Sequence, residues 1–278
     1  MIAPDELARL AAKALRIRED ILRIVFETGS GHVGGSLSQT DILVLLYYRF
    51  LKVDAARPDW AERDRFILSK GHGGLGLAAI LADLGFIPAE ELASFGTTGH
   101  RLGMHMDHGR VPGIEASTGS LGHGLGVAVG MALGARHQGL PLATVCLLSD
   151  GECYEGSTWE AALSASAFRL GRLVAIVDRN HLTMAGDTEE LVPLEPLAAK
   201  WEAFGWEALS CDGHNLIALG GALERALAPD RARPAVVLAR TVKGKGVDFM
   251  ENAARWHYGS LDSVMYERAL ASVRRSAP

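Results

Sequence analysis

Two short runs, residues 143–148 (Ala-Thr-Val-Cys-Leu-Leu) and 173–177 (Leu-Val-Ala-Ile-Val), are apolar and rich in β-branched side chains, as parallel strands covered on both faces are. Between them residues 157–168 carry a helical pattern. Strand, helix, strand at this length constrains the chain to a right-handed crossover, so both strands run the same way and end at one sheet edge. Asp150 closes the first run and Asn180 the second, which brings their side chains together beyond the carboxyl ends of the strands, where open α/β sheets bind ligands. Magnesium takes a few hard oxygen ligands from protein and the rest from phosphate and water. Asp150, the Asn180 carboxamide and the main-chain carbonyl near Leu182 can supply three, and Gly151 lets a phosphate approach the backbone. The helix start that follows adds free N–H donors. Taken singly, Asp-Gly and Asn-His are ordinary turn formers.

With 278 residues, 48% of them hydrophobic, the chain can bury one large core, and the expectation is a single domain over 1–278. The strand and helix pattern predicts an α/β fold, a doubly wound and mostly parallel sheet with helices on both faces. A net charge of −5 without a Lys/Arg stripe argues against a nucleic-acid partner. Cys146, Cys153 and Cys211 are odd in number and lack paired spacing, so neither a disulfide framework nor a zinc site is expected and the compartment is read as reducing. The first helical stretch, to about Glu27, is charged and amphipathic, unlike a signal peptide or membrane span. A cytoplasmic location, with no membrane partner, follows as the expectation.

A glycine-rich turn is expected over 29–36, a second helix over 38–50, a first strand over 65–68 and a small-residue helix through 84. Residues 95–120, rich in Gly, His and Thr, lack periodicity and suggest a functional loop above the sheet. A glycine-rich helix over 122–137 and a last strand over 235–239 follow, the latter leading into Lys243-Gly244-Lys245-Gly246. Five of the ten histidines, His32, His72, His100, His123 and His214, directly follow glycine, which puts imidazoles on loops. Converging imidazoles suit proton movement on polyol hydroxyls, although any one alone reads as loop structure. The run Gly119 to Gly126 invites a dinucleotide reading, but no clear strand precedes it and no acidic residue stands at the ribose distance. Tight helix packing is the better reading for Gly124, Gly126 and Gly130. Lys243-Gly-Lys-Gly lacks P-loop spacing, and Ser157-Thr158-Trp159-Glu160 fits a capping box.

Taken together, Ser30-Gly31-His32, Ser69-Lys70-Gly71-His72-Gly73, Pro112 through Gly122, Asp150-Gly151 to Asn180, and Trp256-His257 resemble, in order and spacing, the thiamine-diphosphate enzymes of the transketolase family. The likeness covers nearly the whole chain and is to the amino-terminal, diphosphate-binding (PP-type) half that forms a separate subunit in split transketolases. It implies that Asp150, Asn180 and the Leu182 carbonyl hold Mg2+ or Ca2+, and that Gly151, His72 and His257 reach the diphosphate of thiamine diphosphate. Gly119, Ser120 and Leu121 would flank the thiazolium. His32, His72, His105 and His257 would line the sugar channel and act in catalysis, and Glu155 with Glu160 would belong to an acidic network joining paired sites. Ser149 stands where the family's metal motif has a glycine, Met104-His105-Met106-Asp107 replaces Gly-His-Pro, and His123 replaces a common glutamine. His100 competes with His105 for the channel position, and the spacing from Pro112 favours His105.

By that likeness the reaction is transfer of a two-carbon ketol unit from a ketose phosphate to an aldose. The family's pyrimidine-side glutamate sits in a domain with no counterpart among the roughly 35 residues after the last expected strand, against the 100 or so that a further domain takes. A separate C-terminal subunit, the pyrimidine-binding half, must complete the site, in a heterotetramer. Three other readings stay open: the α subunit of another thiamine-diphosphate enzyme such as a 2-oxo acid decarboxylase, a non-catalytic cofactor-binding subunit, and, more remotely, a nicotinamide-dependent dehydrogenase.

Overall fold

The computed structural model describes residues 2–276. Helix α1 (Pro4–Thr28) starts on proline with Asp5 and Glu6 against its positive end, and stops at Gly29, whose left-handed φ of 80° ends the spiral. The glycine-rich segment after it is not a free turn: α2 (Val33–Ser38) already occupies it, and α3 (Thr40–Leu45) continues into one π-helical turn, Leu46–Phe50. The remaining elements are β1 (Arg65–Leu68), α4 (Gly74–Asp83), α5 (His123–His137), β2 (Thr144–Ser149), α6 (Gly156–Ala167), β3 (Leu173–Arg179), α7 (Thr188–Leu191), α8 (Leu197–Ala203), β4 (Glu207–Asp212), α9 (Leu216–Ala226), β5 (Ala235–Arg240) and α10 (Ser263–Arg275).

The five strands form one parallel sheet in the order β1-β2-β3-β5-β4. Successive side chains point to opposite faces and feed two separate cores. Phe66, Val145, Leu147, Val174, Ile176 and Val237 pack with α1, α3, α4 and α9 on one face. Ile67, Cys146, Leu148, Ala175, Val177 and Val236 pack with α5, α6 and α8 on the other. A strand buried on both sides has no polar alternation, which is why β2 and β3 read as continuous apolar runs. The fold is therefore the doubly wound α/β sheet that the pattern predicts.

Strand β4 was not expected. It sits at the sheet edge, and Ser210 and Asp212 are exposed while Leu209 and Cys211 are buried, so Glu-Ala-Leu-Ser-Cys-Asp never forms an apolar run. The capping box also lies elsewhere. Helix α6 starts from Glu155 with no side-chain cap, whereas one turn earlier the Ser149 N–H donates to Glu152 Oε2 at 2.8 Å. Glycine packing divides in two. A Cβ at Gly124 would meet Ser69 Oγ at 2.3 Å, as tight packing requires, but at Gly126 and Gly130 it would meet nothing within 4 Å. Among the described residues, nothing packs on α5 at these two positions.

Candidate functional site

Strands β2 and β3 are in register with Ser149 opposite Asp178, so the two loops leave the sheet side by side. Asp150 Oδ2 accepts the His181 N–H at 2.7 Å, and Asn180 Oδ1 accepts the Leu182 N–H at 3.1 Å. Asp150, Asn180 and Leu182 line one cavity of about 390 Å³ above the strand ends, together with Gly151. A Cβ at Gly151 would come no closer than 3.7 Å to another atom, so the backbone there is open towards the cavity. Burial and the neighbouring Asp178 push the Asp150 carboxyl up, against the pull of Arg179.

The opposite wall is made of imidazoles. The His32 ring lies 5.4 Å from His72, 5.4 Å from His257 and 6.1 Å from His105 between centroids, and His72 stacks on His257 at 5.3 Å. Two backbone hydrogen bonds between Gly31 and Gly259, of 2.9 and 3.0 Å, clamp the segment carrying His32 to the one carrying His257. Burial, with Lys70 and Lys243 nearby, lowers His32 and His257 to about 4 and His72 further still. At neutral pH these rings are uncharged and able both to donate and to accept. His32 Nδ1 is buried without a hydrogen-bond partner, so it has bonding capacity to offer a bound molecule.

Of the other expected residues, Gly119 and Leu121 line the cavity. Gly119 also makes room for His105, whose ring would lie 3.0 Å from a Cβ there. Ser120 is exposed and not among the lining residues. Glu155 and Glu160 are exposed at the start of α6, and Gly122 (φ 84°) packs against Glu155. His100 is on an exposed turn away from the imidazole group, whereas His105 belongs to it. His123 is exposed, with Nδ1 3.3 Å from the Leu121 carbonyl.

Sequence reasoning missed the lysines and the acids that hold them. Lys70 is buried at the end of β1, with Nζ 2.5 Å from Asp178 Oδ2 and 3.0 Å from the Gly35 carbonyl. Asp178 also accepts from Ser38 Oγ at 2.6 Å and from Thr241 Oγ1. Burial alone would raise this carboxyl, but Lys70 and the hydroxyl donors hold it below the usual range. Lys243 Nζ donates to the Leu182 carbonyl at 2.6 Å and lies 3.3 Å from His257 Nδ1, and burial with Lys70 lowers it to about 8. Glu152 accepts from the Ser149 and Gly122 N–H groups and from Ser69 Oγ, tying the loop before α5 to the ends of β1 and β2. The available signal was a lysine in each of two glycine-bearing loops at strand ends, a place where anions bind.

A cavity at the carboxyl edge thus brings an acid, an amide and a carbonyl together with the neutral imidazoles of His32, His72 and His257 and two buried lysines. A family model described as "Transketolase, thiamine diphosphate binding domain" matches residues 8–269. The chain belongs to the transketolase family. Within it, the chain is 43% identical to the 6-deoxy-6-sulfo-D-fructose transketolase subunit SqwG of Clostridium sp., over 93% of this chain and 94% of that one. One of the chains of the apulose-4-phosphate transketolase of Phocaeicola vulgatus is 38% identical over 96% of this chain and 95% of its own length. Against human transketolase the identity is 33% over 97% of this chain, which spans only 43% of that protein. The solved transketolase of Campylobacter jejuni superposes with a TM-score of 0.86 at 29% identity, covering 96% of this chain and 42% of that one. The chain thus spans about two-fifths of the full-length transketolases and nearly all of the small transketolase subunits. These matches favour the transketolase reading over the decarboxylase alternative.

Proposed function

We propose that this chain is the diphosphate-binding half of a two-chain transketolase, moving a two-carbon ketol unit from a ketose phosphate to an aldose once a pyrimidine-binding C-terminal subunit is bound. The observation that carries this reading is the packing of His32, His72, His105 and His257 into one group beside Asp150, Asn180 and Leu182. When bound, thiamine diphosphate supplies the electron sink for breaking the bond beside a ketose carbonyl.

The residues fit such a group. Asp150, the Asn180 carboxamide and the Leu182 carbonyl present hard oxygens suited to Mg2+ or Ca2+, and Lys243 Nζ, which donates to the Leu182 carbonyl at 2.6 Å, would turn from that oxygen to the diphosphate when the cation takes it. Gly151, Asn180, His72 and His257, with Lys70 and Lys243 behind them, would receive the diphosphate, and Gly119, Ser120 and Leu121 the thiazolium. On the sugar side, His32 and His257 accept and return hydroxyl protons, with His72 or His105 assisting. The neutral state of His32, His72 and His257 suits the role, because an uncharged imidazole accepts and donates in one ring. Glu155 and Glu160 stand exposed where a second copy and the C-terminal subunit would meet them in a heterotetramer. Among the described residues no helix is long and apolar enough to cross a membrane. A cytoplasmic location and a single domain over 1–278 complete the reading.

The test is a reconstitution. The chain mixed with its C-terminal partner, thiamine diphosphate and Mg2+ is assayed for ketose-dependent aldose extension, with His32→Ala and His257→Ala variants alongside. Loss of ketol transfer in both variants supports the reading. A complex that decarboxylates 2-oxo acids and is indifferent to both substitutions refutes it.

A further inference from the structure

Outside the cavity lies a buried polar set that the ligand site does not use. Arg18 of α1 donates from both terminal nitrogens to the two oxygens of Asp41 on α3, at 3.1 and 2.6 Å. The same carboxylate is 2.7 Å from His214 Nδ1, and His214 Nε2 accepts the Val242 N–H at 2.8 Å. That second bond fixes the tautomer, since an accepting Nε2 leaves the proton on Nδ1, which donates to Asp41. Burial opposes ionisation of Asp41, but Arg18 outweighs it and holds the carboxyl down to about 2. The acceptor for His214 is therefore a permanent carboxylate.

Val242 is where the sheet stops. The Thr241 N–H still bonds to the Arg179 carbonyl at 3.0 Å, and the Gly244 N–H bonds to the Gly34 carbonyl at 3.0 Å. Between them the Val242 N–H has passed the end of the ladder, and His214 supplies its acceptor. The next residue is Lys243, whose ammonium reaches the Leu182 carbonyl and His257. We propose that His214, its accepting nitrogen set by the proton that Nδ1 keeps for Asp41, is a positioning residue, which holds the main chain at Val242 and thereby aims Lys243 into the cofactor cavity. The proposal rests on the reading of that cavity as a thiamine diphosphate site.

Two substitutions separate the halves of the relay. Gln at 214 keeps an acceptor near the Nε2 position, whereas Asn keeps a donor for Asp41 but is too short to reach Val242. In the assembled two-chain complex, H214N should weaken thiamine diphosphate binding, measured calorimetrically in Mg2+, about tenfold, the loss of one buried hydrogen bond, while His214→Gln stays within about threefold. In a K243A background H214N should add nothing further, because the effect runs through Lys243. Amide exchange at Val242, read without ligand, should speed up in H214N and not in His214→Gln. Equal effects of the two substitutions, additivity with K243A, or unchanged exchange at Val242 in H214N would overturn the relay. Failure of the wild-type complex to bind thiamine diphosphate refutes instead the reading of the cavity, and the exchange measurement then still decides whether His214 holds Val242.

Discussion

At the scale of single residues, the site depends on charge placed at one sheet edge. Asp150→Asn removes the only carboxylate expected on the cation and should weaken Mg2+-dependent binding of thiamine diphosphate on the order of a hundredfold, as loss of a hydrogen bond or contact to a charged group does. Calorimetry on the complex checks this, and a chelator should reproduce the loss in the wild type. The imidazoles give a pH prediction. His32 and His257 titrate near 4 in the fold against an ordinary 6.5, so the unfolded chain binds more protons between those values. Their contribution to stability is complete above about pH 6.5, drains away as the pH falls towards 4 and stays level below that. Melting temperature followed from pH 7.5 to 4.5 should fall, and the fall should be shallower in a His32→Asn, His257→Asn double variant. These histidines could be read from the sequence because each stands in a glycine-bearing or tryptophan-led motif. Lys70 and Lys243 stand in similar loops, yet a lysine usually extends into solvent, and only the fold shows them nearly covered and held by Asp178 and the Leu182 carbonyl.

At the scale of elements, the sequence discloses strands that are apolar throughout and hides the one that is not. Strands β2, β3 and β5 are legible because both their faces are covered, while β4, with one side open at the edge, has the composition of a loop. Helix α5 carries a sharper lesson, since its glycines look alike in sequence. Gly124 faces Ser69 at distances no Cβ tolerates, so Gly124→Ala should destabilise the chain by roughly 1–3 kcal/mol through overpacking. Gly130 faces open space, so Gly130→Ala should leave stability unchanged or raise it by up to about 1 kcal/mol, the usual gain in a helix interior. Urea denaturation of the two variants distinguishes them by the sign of the midpoint shift. Period and propensity cannot separate the two positions, because the difference lies in what the rest of the molecule brings against each.

At the scale of the whole molecule, the outer face of α5 and α6 is incomplete. Val127 is 39% exposed and Leu163 60%, beside glycines with nothing packed on them. If the proposed heterotetramer uses this face, a Val127→Glu, Leu163→Glu double variant should keep the fold, judged by circular dichroism, and sediment in the reconstituted mixture as smaller species than the wild type. The two backbone bonds between Gly31 and Gly259, flanked by the Tyr258 hydroxyl on Ser30 at a separation of 228 residues, have a consequence in time. During synthesis, Ser30 must wait for 228 further residues before Tyr258, its neighbour on the far strap, arrives. A truncated product ending short of that strap would lack His257 and with it one side of the pocket, so such a truncation should abolish ketol transfer.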